Sequence, residues 1–268
     1  MSHDRHILPV DGHVHFHDVG RVSLTLDAAA KNFRAVGDRP AGLLGALLLT
    51  QAASERVFET LQESPMAGAW RVSLASDEPE TLIAQRDDEA IAIVCGRQVR
   101  AADGLEVLAL GTLEAFPDGL PFPDALEAVR SSGALAALPW GFGKWLGIRG
   151  ERVEAMLEST GPEVLFVGDN GGRVDALGMP AIIRQAASRG FRILPGTDPF
   201  PFGSDHRRVG TFGFLAEVEV PEAAPWRALR GWLEGRQQSP EPYGAAIGMV
   251  RFVANQLRIR VWNRPRSA

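Results

Sequence analysis

Histidine is scarce in this chain, six in 268 residues, and three of the six stand together in Asp11-Gly12-His13-Val14-His15-Phe16-His17. The preceding Ile7 to Val10 is apolar and β-branched at both ends, which reads as a short buried strand. In an extended chain alternate side chains share a face, so His13 and His15 point the same way, and His17 joins them if the strand continues. Two imidazoles so placed form a chelate. Neutral imidazole nitrogens suit zinc or iron, and a carboxylate partner extends the choice to manganese. Asp198 supplies that carboxylate, after a second predicted strand, in Pro195-Gly196-Thr197-Asp198-Pro199-Phe200. The spacing therefore predicts His13, His15 and Asp198 as ligands of one divalent cation. Asp198 is read as ligand or general base, and His17 as a further catalytic imidazole. The plainer readings are a polar turn that tolerates histidine, and an Asp-Pro turn at Asp198.

Cations follow other predicted strands. Gly141-Phe142-Gly143-Lys144 and Gly168-Asp169-Asn170-Gly171-Gly172-Arg173 are glycine-rich and each ends in a positive charge, and Arg207 and Arg208 come shortly after Asp198. Lys144, Arg173 and Arg207 are accordingly the predicted holders of a small anionic substrate; the alternative is that they are solvated loop charges. The glycine spacing does not match a dinucleotide fingerprint.

The elements that must position these residues are read from periodicity. Leu24 to Val36 is helical, with Leu26, Ala29, Ala30 and Phe33 on one face and Gly37 as its stop; Ala41 to Leu49 is a buried strand, and Ser54 opens a helix to about Gln62. Between residues 70 and 111 the pattern turns to short strands joined by Asp- and Gly-bearing turns, which predicts a β-hairpin excursion. Strands and helices then alternate to Leu194. Their order, with polar motifs after the strands, predicts an α/β fold: a distorted TIM-like barrel of seven β/α units with a C-terminal helical segment. The chain is read as a single domain, 1–268, with a core over about 6–213 and a packing segment over 214–268.

Composition excludes several classes. Hydrophobic residues make up 45% and charged residues 23%, ordinary for a globular chain, and the net charge of -5 gives no general field for nucleic acid. One cysteine, Cys95, rules out an internal disulfide framework. The polar first residues and the lack of any membrane-length apolar run predict a cytoplasmic protein with no membrane partner.

The order of motifs resembles the PHP (polymerase and histidinol phosphatase) superfamily, from about Ile7 to Gly213. Asp11-Gly12-His13-Val14-His15 resembles its opening D-x-H-x-H, and Gly196-Thr197-Asp198-Pro199-Phe200 resembles its G-[ST]-D-x-H. The resemblance implies a distorted β/α barrel, metal-dependent phosphoester hydrolysis, and metal-ligand roles for His13, His15 and Asp198. Four positions depart from the family pattern. Gln98 stands where a bridging glutamate is expected, and Glu106, Trp140 and Phe200 stand at expected histidines. These departures leave one metal rather than a cluster. The expectation is a divergent metal-dependent phosphoesterase acting on a small anionic substrate. The alternative is a non-catalytic barrel that binds an anionic metabolite or a protein partner.

Overall fold

Strand β1 (Ile7–Val14) is buried along nearly its whole length, so it lies inside the molecule. In the computed structural model, which describes residues 7–36 and 42–262, the chain continues through α1 (Val22–Val36), β2 (Gly42–Leu49), α2 (Val57–Glu63), β3 (Met66–Ala67), β4 (Trp70–Ala75) and β5 (Glu78–Arg86). Next come β6 (Glu89–Val94), β7 (Gly96–Arg100), β8 (Glu106–Leu110), α3 (Phe122–Ser131), β9 (Leu135–Pro139), α4 (Ile148–Ser159) and β10 (Phe166–Asn170). The chain closes with α5 (Ala181–Ser188), β11 (Ile193–Gly196), β12 (Phe212–Glu217), α6 (Pro225–Glu234), β13 (Glu241–Gly244) and α7 (Met249–Trp262). The expected helix stop at Gly37 lies outside the described residues.

These strands form two mixed sheets, one of eight strands in the order β13-β12-β1-β2-β6-β5-β4-β3 and one of five in the order β11-β10-β9-β8-β7. This corrects the expected TIM-like barrel of seven β/α units. β1, β2 and β6 are parallel, as are β9, β10 and β11, but β12 runs against β1, β5 against β6, and β8 against both β7 and β9. The expected excursion at 70–111 is also corrected. Its strands extend the first sheet and found the second. No helix separates β3 to β8, and β3–β4, β4–β5, β5–β6 and β7–β8 pair as antiparallel hairpins, the chain changing sheets between β6 and β7. The segment after Gly213 does more than pack, since β12 and β13 are strands of the larger sheet.

The sheets face each other across a shared apolar core. Val10, Leu48 and Val94 come from one, and Leu108, Ala137, Phe166 and Leu194 from the other, with Trp226 and Leu229 of α6 added. Helices α1 and α2 cover the outer face of the larger sheet through Leu26, Phe33 and Phe58. Helices α3 to α5 cover the smaller one through Leu126, Val153 and Ile183. Backbone hydrogen bonds join the sheets at two places: Gln98 N to Gln51 O (2.9 Å), and Asp198 N to His13 O (2.8 Å). The C-terminal ends of β1, β2, β9, β10 and β11 thus gather on one side. No helix among the described residues is long and apolar enough to cross a membrane.

Candidate metal centre

The close approach of β1 and β11 depends on two glycines. A Cβ on Gly12 would lie 2.6 Å from Pro195 O, and one on Gly196 would lie 2.3 Å from His13 N. With both side chains absent, the backbones meet and the residues after each strand share one space. Asp11 fixes the register. It is fully buried and accepts from Thr197 N (2.8 Å), Thr197 Oγ1 (2.6 Å) and Gly210 N (2.9 Å). Burial pushes its carboxyl up to about 6 against those hydrogen bonds.

The strand alternation puts His13 and His15 on one side, as expected. Their Nε2 atoms are 3.1 Å apart, and Asp198 Oδ1 lies 3.6 Å from the first and 3.7 Å from the second. Two nitrogens and an oxygen at a zinc ion, each about 2 Å from the metal, stand about 3.3 Å apart in a tetrahedron. The three donors are therefore spaced for one cation. Their protonation agrees. Burial holds the His13 imidazole down at about 4, so it is neutral at pH 7. Burial works against the Asp198 charge, but the facing imidazoles and the nearby Lys144 and Arg208 hold its carboxyl below the usual range.

Asp198 has φ of 42°, left-handed backbone that few non-glycine residues adopt. Its amide is tied to His13 O, and its Oδ2 accepts from Asn170 Nδ2 at 2.8 Å. Asn170 in turn donates to Trp140 O. One carboxylate oxygen thus faces the imidazoles while the other is held by Asn170, an arrangement that suits a metal ligand.

His17 stacks on His15, ring centroids 5.0 Å apart. Its Nδ1 lies 2.9 Å from Glu55 Oε1 and its Nε2 lies 2.8 Å from Pro199 O. Both partners are acceptors, an environment that favours the protonated ring. Burial opposes that charge, but Glu55 and Pro199 raise the His17 pKa overall. His17 clasps the loop at Pro199 to Glu55, so its two ring nitrogens are engaged rather than turned to the cleft. Burial likewise opposes the Glu55 charge, and the His15 and His17 imidazoles hold its carboxyl far below the ordinary range. Glu55 Oε2 stands 3.6 Å from the buried Nδ1 of His15, the place of the outer carboxylate that orients a metal-binding histidine.

The predicted anion holders are engaged or turned outward, and Lys144, though near Asp198, is paired. Lys144 Nζ contacts both oxygens of Glu106 at 2.5 Å. Arg173 makes three hydrogen bonds to buried Asp169, at 2.8, 3.1 and 3.0 Å. Arg207 is exposed. The cleft next to the cluster, about 780 Å³, is instead bordered by His15, His17, Arg21, Arg56, Phe200 and His206, among others. Of the residues lining this cleft, Arg21, Glu55 and Arg56 went unread in the sequence. The signal for Glu55 is positional: an acid six residues beyond the end of a parallel strand whose neighbour carries the histidines.

No protein-family model matches the chain, and no curated protein matches it. Among solved structures it is similar to PsfC from Pseudomonas syringae PB-5123, with 15% sequence identity over 96% of this chain and 98% of that one, and a TM-score of 0.56. At that identity the likeness is one of fold alone.

Proposed function

We propose that this chain is a divergent metal-dependent hydrolase, acting as a phosphoesterase on a small anionic substrate. The observation that carries the reading is the convergence of His13 Nε2, His15 Nε2 and Asp198 Oδ1 within 3.7 Å of one another beside an open cleft. A divalent cation held there supplies positive charge for a phosphoryl oxygen and acidifies water near neutral pH. The chain's own residues do the rest. His13 presents a neutral nitrogen, Asn170 aims Asp198, and Glu55 is placed to fix the His15 tautomer. Arg56 brings a cation to the cleft for the substrate's charge. His17 holds the loop at Pro199 against the strand that carries the ligands.

The test is turnover of phosphomonoesters by the purified full chain with Mn²⁺ or Zn²⁺. His13→Ala and Asp198→Asn should each abolish metal-dependent hydrolysis, and activity surviving both substitutions ends this assignment. Glu106, which stands at an expected ligand position, is paired with Lys144. That pairing favours a second reading, anion binding without turnover, which a metal-independent affinity for phosphate would support.

A further inference from the structure

Phe200 stands at the position where the PHP pattern has its last histidine, and the structure gives it other work. Phe200 and Phe202 stack with ring centroids 5.6 Å apart and planes within 20°, and both border the cleft half-buried. Their loop is pinned rather than free. Phe200 N donates to Asp205 Oδ2 (2.8 Å), Asp205 N donates to Phe202 O (3.0 Å), and His17 holds Pro199 O. Asp205 is itself buried beside Arg208. An aromatic wall fixed before any ligand arrives needs no ordering on binding. The same cleft is lined by Arg56, exposed and with no hydrogen bond or ion pair from its guanidinium among the described residues. His15 belongs both to this cleft and to the metal cluster.

We propose that the cleft is a subsite for an aryl-bearing phosphate or phosphonate. The flat ring lies against Phe200 and Phe202, and the oxyanion lies between the His13–His15–Asp198 cluster and Arg56. The anion's place rests on the hydrolase reading; the ring's place rests on the wall alone. Loss of a metal ligand at position 200 then appears as gain of a selectivity surface.

The experiment is calorimetric titration of the full chain, with and without Mn²⁺, using phenylphosphonate and methylphosphonate, neither of which is hydrolysed. The parent should bind the phenyl compound at least about tenfold more tightly, the scale of one aromatic contact plus its buried area. Phe200→Leu and Phe202→Leu, which keep apolar bulk, should shrink that ratio several-fold, and Arg56→Met should weaken both ligands alike. Equal affinities in the parent, a ratio unchanged in both leucine variants, or no binding of either ligand would overturn the subsite. Selective phenylphosphonate binding without hydrolysis of any phosphomonoester would leave the subsite standing and remove the hydrolase.

Discussion

His13 and His15 meet nitrogen to nitrogen, their Nε2 atoms 3.1 Å apart with the Asp198 carboxylate within 3.7 Å of each. Both Nδ1 atoms are buried without a hydrogen-bond partner among the described residues. The proposed cation would sit between the two Nε2 atoms and the carboxylate. Elemental analysis of protein purified without a histidine tag should give about one equivalent of zinc, manganese or iron. The double variant His13→Ala/His15→Ala should carry none. A metal-free parent, even after incubation with divalent ions, would sink the site.

Asn170 makes a second, finer prediction. Its amide donates to Asp198 Oδ2, the oxygen turned away from the imidazoles. Removing it frees the carboxylate to rotate without touching any donor. Asn170→Ala should weaken metal binding by roughly 10- to 100-fold, as outer-shell losses do. A competition titration against a chelator reads this directly, and an unchanged affinity would show that the backbone alone aims Asp198.

Acid should act on His13 and Asp11 in opposite directions. The folded His13 pKa is lowered from 6.5 to about 4, so stability falls as pH drops from 6.5 toward 4. The folded Asp11 pKa is raised from 3.8 to about 6, so stability rises as pH drops from 6 toward 3.8. Each shift corresponds to about 3 kcal/mol. In the metal-free parent the two nearly cancel. His13→Asn removes the loss and keeps the gain, so this variant should gain about 3 kcal/mol relative to the parent between pH 7 and pH 4. Urea unfolding in chelator at both pH values measures it, and parallel pH profiles would refute the assignment.

Arg173 should matter for stability. Its guanidinium neutralises Asp169, a carboxylate almost wholly buried, whose pKa burial still holds above the usual value. Arg173→Ala strands that charge and should cost about 3 to 5 kcal/mol. Asp169→Asn in the same background should recover part of the loss, because an amide is less costly to bury than an unpaired ion. Thermal unfolding of the two variants decides this.

The local grammar of the sequence is legible where one strand or helix suffices. Strand alternation places His13 beside His15, and the stripe Leu26, Ala29, Ala30, Phe33 marks the buried face of α1. What periodicity does not carry is strand direction. Ile91 to Val94 and Val107 to Leu110 are equally apolar, yet β6 is parallel to β2 while β8 runs against both neighbours. An alternating order of strands and helices therefore suggests a barrel where two mixed sheets exist. Pairing is equally silent. Lys144 and Glu106 are 38 residues apart, and Glu55 and His17 likewise, so each charge reads as free until the fold joins it. Ser54 looks like a helix cap, but α2 starts at Val57 with no side-chain cap, and the residue beside it, Glu55, serves the site instead.

Asp11 receives a hydrogen bond from Gly210, 199 residues away, and the histidines it positions wait for Asp198 from the same distant part of the chain. During synthesis at roughly 5 to 20 residues per second, His13 and His15 are made on the order of 10 to 40 s before Asp198. If the proposed cation binds here, its capture is partly a matter of timing: the two imidazoles offer it an incomplete set of donors until β11 arrives to close the centre.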